Sequence, residues 1–462
     1  MSPRRFLHRS RIAAPAEAVY RWHARPGALE RLTPPWESVM VEERTGGIED
    51  GSRVVLRVQL GPVSARWVAV HSDHVPGVQF SDLHVQGPFA RWVHTHRFRP
   101  DGPDASILED DIEYALPLEP LAGLIGGPIA ERKLRRLFAY RHAVVQGDIE
   151  AHAMTAQTSS LSVAVTGSRG LVGSALVPFL TTGGHRVLRL VREAAADSVR
   201  WDPAIGIQEP AGLAGIDGVV HLAGENIAAR RWSQAQKDAI RRSRVEGTRR
   251  LCEALAGLAH PPKVLVAASA VGVYGDRGDE VLTEESAGGA GFLAEVCREW
   301  EAATERAERA DIRVVHLRFG MVLSPRGGAL GKMVTPFLLG AGGRMGSGRQ
   351  HVSWVAIDDA IGAVLHALAT DDLRGAVNVV APTPVRNAEF ARVLALVLRR
   401  PALVPLPAFA ARLAFGEMAD ALLLASARVV PAKLQVSGYR FRFADLETAL
   451  RHLLGRSEGG GN

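Results

Sequence analysis

Three glycines, Gly167, Gly170 and Gly173, carry the first chemical signal in the chain. An apolar run, Val163-Ala164-Val165, precedes them, and Leu171-Val172 leads into a helix-like stretch. Glycine at these places lets a strand turn sharply, lets backbone approach a pyrophosphate, and lets a helix pack closely on the strand. The opening turn of that helix offers free N–H groups and the positive end of its dipole to phosphate. Strand before and helix after supply the context that a bare glycine triplet lacks. Two arginines stand where a dinucleotide's 2′-phosphate would lie. Arg169 is inside the loop, and Arg192 ends the next apolar run, His185 to Val191. An NAD site usually has a carboxylate at the second place, so the pair tilts the expected cofactor to NADP (NADPH). Glu193, next to Arg192, leaves NAD open.

The elements that must position these residues are legible as alternating strands and helices. Val199 to Trp201 reads as a third strand, and Gly218 to Gly224 as a fourth. Val264 to Gly275 reads as a fifth and Val314 to Leu323 as a sixth, with helices between. Such alternation predicts a doubly wound parallel α/β sheet. Asp358-Asp359 reads as the cap of a helix over 360–368. Gly340 to Gln350 is too glycine-rich for a regular element and is expected beside the substrate.

The first 150 residues differ. Phe6 to Ala13 reads as a strand and Pro15-Ala16-Glu17 as the start of a helix. Leu56, Val58 and Leu60 alternate with Arg57 and Gln59, and Trp92, His94, His96 and Phe98 share one face. Period two with turns between means a half-buried antiparallel sheet, here running on through Ser106 to Leu116. A helix over 128–149 closes the segment. Its apolar side is Leu134, Leu137, Phe138, Val144 and Val145. His71, His74, His94 and His96 invite a metal, but no carboxylate or cysteine completes a set at ligand spacing, so no metal is expected.

Bulk properties narrow the class. The 462 residues suggest two or three domains, and 47% hydrophobic content supplies real cores. Net charge is +6, and five lysines stand against fifty arginines. That reads as solvated surface with some anion contacts, not a nucleic-acid stripe. Cys252 and Cys297 are too few for a disulfide framework and fit a reducing, cytoplasmic setting. Neither a signal-peptide core nor a membrane-spanning run is expected.

Two resemblances sharpen this. The first part, with Gly87-Pro88-Phe89-Ala90-Arg91-Trp92 and Asp110-Asp111-Ile112-Glu113-Tyr114, resembles the helix-grip fold of the START-like, polyketide-cyclase superfamily. That resemblance implies a long helix lying across a sheet around an apolar cavity. From Val163 to about Leu454 the chain resembles an epimerase-family extended short-chain dehydrogenase/reductase, of the atypical subfamily with its own C-terminal domain. The matching phrases include Leu222-Ala223-Gly224-Glu225-Asn226-Ile227, Ser269-Ala270-Val271-Gly272-Val273-Tyr274-Gly275 and Gly342-Gly343-Arg344-Met345-Gly346-Ser347-Gly348. The resemblance implies that NADP is held by Gly167, Ser168, Arg169, Gly170, Leu171, Val172 and Gly173. Val191, Arg192, Leu222, Ala223, Gly224, Glu225, Arg244 and Val322 complete that set. The expected organisation is a START-like domain over 1–150, a linker over 151–160 and a Rossmann domain over 161–400. A small C-terminal domain over 401–454 and a disordered tail over 455–462 follow.

The superfamily's usual proton relay, Tyr-x-x-x-Lys, is missing. Four residues after Tyr20, Tyr114, Tyr140, Tyr274 and Tyr439 stand Ala24, Leu118, Val144, Gly278 and Phe443. On the helix that should carry the pair, the two places fall at Leu293 and Cys297. The catalytic residues are therefore unknown, with Ser269 and Tyr274 as candidates. Two functions remain open. One is an NADP-dependent oxidoreductase or epimerase on an unknown small substrate, with an apolar one left open. The alternative is a non-catalytic NADP(H)-binding or redox-sensing protein with a START-like ligand-binding domain.

Overall fold

The computed structural model describes residues 3–61, 63–117, 121–155, 160–193 and 197–456. Two compact units result, one built on residues 1–156 and the other on residues 157–180 and 185–453.

In the first unit, period-two alternation produces seven antiparallel strands. They are β1 (Arg4–Ile12), β2 (Val39–Thr45), β3 (Arg53–Leu60), β4 (Val63–Val75), β5 (Gln79–Gln86), β6 (Arg91–Pro100) and β7 (Ser106–Ala115). Their order is β1-β7-β6-β5-β4-β3-β2. Two short helices, α1 (Ala16–Ala24) and α2 (Ala28–Leu32), follow β1, and a long helix, α3 (Leu121–Ala153), closes the unit. The helix is longer than the sequence suggests, because Pro128 is accommodated inside it. It also takes in the first residues of the expected linker; residues 156–159 and 457–462, where the linker's end and the tail were expected, lie outside the described residues. The inner sheet face packs Phe80, Phe98 and Leu108 with Tyr140, Val144 and Val145 of α3. The opposite face carries an ion-pair ladder, with Glu109 taking Arg9, Arg97 and Arg99. An antiparallel sheet with one solvated face is what the alternation requires.

The second unit is a doubly wound α/β structure. Its elements begin β8 (Ser162–Thr166), α4 (Leu171–Thr182), β9 (Arg186–Val191), β10 (Ser198–Asp202), β11 (Gly206–Ile207) and β12 (Gly218–His221). Next come α5 (Gln234–Ala256), β13 (Val264–Ala270), β14 (Val281–Leu282), α6 (Phe292–Ala302), α7 (Glu305–Glu308), β15 (Arg313–Phe319), β16 (Met321–Leu323) and α8 (Gly328–Leu338). Then follow β17 (His351–Val352), β18 (Trp354–Ala356), α9 (Ile357–Ala369), β19 (Gly375–Val379), β20 (Val385–Arg386) and α10 (Asn387–Leu398). The last are α11 (Ala408–Phe415), α12 (Glu417–Ala419), β21 (Arg428–Val429), α13 (Ala432–Val436) and α14 (Leu446–Leu453).

The main sheet runs β11-β10-β9-β8-β12-β13-β15-β19. The chain moves outward from β8 through β9, then returns to β12 on the other side. This reversal opens a crevice outside the carboxyl ends of β8 and β12, the usual dinucleotide position in such sheets. Three expected strands end early. β12 stops at His221. β13 stops at Ala270, and Val271–Tyr274 folds into a 3-10 turn closed by Gly275 at φ +66°. The sixth strand breaks at Gly320, so Val322 sits in β16, paired with β18 outside the main sheet.

Segment 401–453 packs within the second unit. Its β21 pairs with β14, and Ser353 Oγ bridges Ala427 O and Val429 N. Asp359 does not cap α9; it accepts from Arg442 N at 2.6 Å and Phe443 N at 2.9 Å. The acidic pair therefore ties the C-terminal segment to the first turn of α9. Among the described residues no helix is long and apolar enough to cross a membrane.

Candidate functional site

The crevice is held by a buried hydrogen-bond chain. Thr166 Oγ1, at the end of β8, accepts from Leu222 N at 3.1 Å and Ala223 N at 3.2 Å. It also meets His221 Nδ1 at 2.8 Å. His221 Nε2 bonds Thr248 Oγ1 on α5 at 3.0 Å, and Trp300 Nε1 on α6 donates to the same oxygen at 2.9 Å. Burial pushes His221 down to about 4, so the imidazole serves this chain uncharged. The ends of β8 and β12 are thereby fixed against two helices before any ligand arrives.

The glycine loop rests on this frame. Gly167 has φ +66°, and a Cβ there would lie 2.7 Å from the Leu222 carbonyl carbon. At Gly173 a Cβ would stand 2.2 Å from Gly167 O, so α4 can approach the loop only without a side chain. Gly170 is less constrained, with Gly167 O at 3.2 Å. Leu171 packs beside Gly327 and Gly328 at the start of α8, and Gly328 in turn faces Val322 O. Val322 thus borders the loop although it left the main sheet. Ser168 is buried, and its Oγ has no hydrogen-bond partner. An orphaned hydroxyl at a helix N-terminus, beside a cradle that Cβ atoms would fill, fits a bound phosphate group.

The remaining predicted residues surround the same crevice. Val191 and Arg192 end β9, where Arg192 is exposed. Arg169 is exposed on the loop, and no ion pair among the described residues reaches either arginine. Leu222, Ala223, Gly224 and Glu225 continue from β12. Arg244 is engaged differently from the loop arginines. It donates to Glu225 O at 2.9 Å and lies 5.0 Å over the Trp300 ring. It supports the loop after β12 from behind. Ser243 Oγ, absent from the expected set, accepts from Glu225 N at 3.0 Å in the same support.

Ser269 and Tyr274 belong to a second, closed network. Ser269 Oγ donates to Glu301 Oε1 at 2.6 Å. Arg318 grips Glu301 with two bonds of 2.8 Å and donates to Tyr274 Oη at 3.0 Å. Tyr274 donates to Asn378 Oδ1 at 2.8 Å and is fully buried. Burial raises its phenol. Burial alone would also raise Glu301, but the bonds from Arg318 and Ser269 bring it below its ordinary value. On α6, Leu293 packs against Gly272, and Cys297 is buried with its thiol pushed up to about 11 by burial.

The histidines of the first unit are arranged otherwise than the sequence implies. His74 is apart, bonded to Tyr20 Oη at 2.8 Å. His71, His94 and His96 are joined by carboxylates, contrary to the spacing argument against them. Sheet register sets Asp82 opposite both His71 and His94, and Asp110 opposite His96. Cross-strand neighbours are invisible to linear spacing.

Comparison with known proteins agrees with both units. Residues 163–380 match the NAD dependent epimerase/dehydratase family, and residues 12–139 match the polyketide cyclase / dehydrase and lipid transport family. Residues 406–453 match a domain of unknown function, DUF1731. An epimerase family protein of Mycobacterium bovis is 44% identical over 292 residues, covering 62% of this chain and 96% of that protein. A crystal structure described as a nucleoside-diphosphate sugar epimerase from Corynebacterium glutamicum aligns at TM-score 0.80 and 36% identity. It covers 97% of this chain and 90% of that one. The human epimerase family protein SDR39U1, determined with NADPH, aligns at TM-score 0.60 and 35% identity, over 63% of this chain and 99% of that one. A glycine cradle at the sheet's reversal point, joined to this kinship over nearly the whole length of the relatives, places the chain in the NAD dependent epimerase/dehydratase family, with a polyketide-cyclase-like unit before it and a DUF1731 segment after it.

Proposed function

We propose that the second unit binds NADP(H) in the crevice outside β8, β9 and β12, as a nucleotide-binding or redox-sensing protein without the family's Tyr/Lys proton relay. The observation that carries this reading is the closed network of Ser269, Glu301, Arg318, Tyr274 and Asn378. Both hydroxyls that could move a proton are held by internal partners, and Leu293 and Cys297 occupy the places of the missing pair.

The chain's own residues have clear parts in binding. Backbone N–H groups after Gly167 and the free Ser168 hydroxyl receive the pyrophosphate. Arg169 and Arg192 receive the 2′-phosphate, for which guanidinium is suited by its fork of donors. NADPH, when bound, would supply a hydride. The human relative determined with NADPH supports the cofactor choice. Cys252 and Cys297 are buried free thiols, which suits a reducing compartment such as the cytoplasm. The first unit's match to polyketide cyclase and lipid transport proteins supports an apolar small molecule as its ligand.

A second reading, an oxidoreductase or epimerase on a small molecule, is favoured by the Corynebacterium structure described as a sugar-nucleotide epimerase. The two are separated in stopped flow by loading the full chain with NADPH and presenting a broad panel of carbonyls, and by loading it with NADP+ and presenting nucleotide sugars, with the sugar products analysed for inversion. The binding reading expects saturable quenching or enhancement of NADPH fluorescence, no change of nicotinamide absorbance and no inverted product. Hydride transfer to or from any member of the panel, or inversion of a sugar, overturns it in favour of the enzyme. No NADPH binding at all overturns both.

A further inference from the structure

The first unit contains a second constellation that the family reading does not use. His94 and His96 project from β6 to the inner face, with side chains 3% and 6% exposed. Asp82 Oδ2 on β5 lies 3.6 Å from His94 Nδ1 and 3.5 Å from His96 Nε2. One ligand atom from each of the three side chains lies within 4.8 Å of the other two. Tetrahedral ligands on metal bonds of about 2.0–2.1 Å stand ~3.4 Å apart, so the carboxylate-to-imidazole spacings match such a site.

The outer atoms of the same side chains are also occupied. His94 Nε2 bonds Asp110 Oδ1 at 2.7 Å, and His96 Nδ1 lies 2.6 Å from that oxygen. Asp110 thus meets both rings on the side away from Asp82, by a hydrogen bond to His94 and a short charge contact to His96. His142 on α3 holds Asp110 Oδ2 at 2.5 Å. His71 Nε2 lies 2.7 Å from Asp82 Oδ1, leaving Oδ2 toward the imidazoles. Outer carboxylates that orient histidine ligands are the usual support of metal sites. Two carboxylates in a core also need charge compensation. Arg141 lies near both, and a divalent cation completes the compensation. Asp82 is a quarter exposed and gives an entry side.

We propose that His94, His96 and Asp82 bind a divalent transition metal of the zinc class, oriented by Asp110, His142 and His71. Two nitrogens and one oxygen disfavour calcium and magnesium, which take oxygen ligands. The metal sits on the inner sheet face, where it can anchor a donor atom of a small molecule held by this unit.

The test uses the full chain without a histidine tag, stripped by chelator and dialysed. Co2+ is titrated first and followed by its visible d–d absorption, then Zn2+ is added. The expected result is one equivalent of Co2+ with the intense band of tetrahedral coordination, displaced by one equivalent of Zn2+. His94→Gln and Asp82→Asn should abolish the band. Asp110→Asn should weaken binding about 10- to 100-fold, and His74→Gln should leave it unchanged. Absence of a bound equivalent in the unmutated chain overturns the proposal and leaves the cluster a proton-sharing network, whatever the variants do. Full binding retained in folded His94→Gln and Asp82→Asn chains also overturns it. If those two fail to fold by circular dichroism, the Asp110→Asn and His74→Gln comparison decides. Equal affinity in both then counts against the site.

Discussion

Ser269 Oγ stands 2.6 Å from Glu301 Oε1, and that carboxylate is also gripped through both oxygens by Arg318. The serine at the end of β13 is thus a donor to an ion pair joining α6 to β15. Both ionic side chains are largely buried, at 14% and 11% exposure. Truncating one partner leaves the other charge uncompensated, so Glu301→Ala should cost about 3–5 kcal/mol. The folded glutamate titrates below its ordinary value. Its contribution is therefore complete above the unfolded value, ~4.3, and is lost as pH falls through the depressed folded value. Urea unfolding of the second unit at pH 7 and again in acid should show a variant deficit that shrinks on acidification. A deficit independent of pH contradicts the ion-pair assignment.

Tyr274→Phe separates structural from catalytic use of the phenol. The substitution leaves Asn378 Oδ1 and the Arg318 Nη1 donor without their partner. An unsatisfied buried polar group costs about 1–3 kcal/mol, so the unfolding midpoint should fall. NADPH affinity should stay the same, because the phenol is enclosed between β13, β15 and β19. Should a substrate be found, a collapse of kcat in a folded Tyr274→Phe chain makes the hydroxyl catalytic after all.

Arg192 bears on cofactor choice. It is exposed at the end of β9 with no ion-pair partner among the described residues, so its loss should not disturb the fold. A charge-assisted hydrogen bond contributes about 1.5–3 kcal/mol, or roughly ten- to hundredfold in affinity. Arg192→Ala should weaken NADPH by that much and NADH hardly at all, read by parallel fluorescence titrations. Equal losses for the two nucleotides rule out a 2′-phosphate contact.

Much of this was legible in the sequence, and the reasons differ by element. The glycine loop was readable because its requirements are local: a strand, a turn and a helix start within a dozen residues. The same local logic failed for Val271 to Tyr274, whose apolar run resembles a strand. Gly275 at φ +66° and the close stacking of Gly289 on Tyr274 O turn it inward instead. Asp359 looked like a helix cap, but its acceptors are claimed by Arg442 and Phe443, some eighty residues on. Asp82 and Asp110 were missed as partners of the histidines for the same reason. Register across four strands, not spacing along one, brings them together.

The two inner glycines of the loop should respond unequally to alanine. Neither Gly170 nor Gly173 has positive φ, so backbone strain does not distinguish them. Space does. A Cβ at Gly170 meets only Gly167 O at 3.2 Å, which a shift of a few tenths of an ångström relieves. At Gly173 it meets Gly167 O at 2.2 Å, Ser168 Cα at 2.8 Å and the Gly167 carbonyl carbon at 2.9 Å. All three are backbone atoms, pinned from behind where Gly167 touches the Leu222 carbonyl. Relief requires pushing α4 off the loop, which moves the N–H groups that face the phosphates. Overpacking of this kind costs about 1–3 kcal/mol in stability. A displacement near 1 Å also removes charge-assisted hydrogen bonds to phosphate, about 1.5–3 kcal/mol each. Gly173→Ala should therefore weaken NADPH and NADH together by at least about tenfold, with a lowered unfolding midpoint, while Gly170→Ala stays close to the unmutated chain. Parallel titrations of the two variants check it. If Gly170→Ala proves the more damaging, the pyrophosphate approaches the loop at Gly170, not over the α4 start.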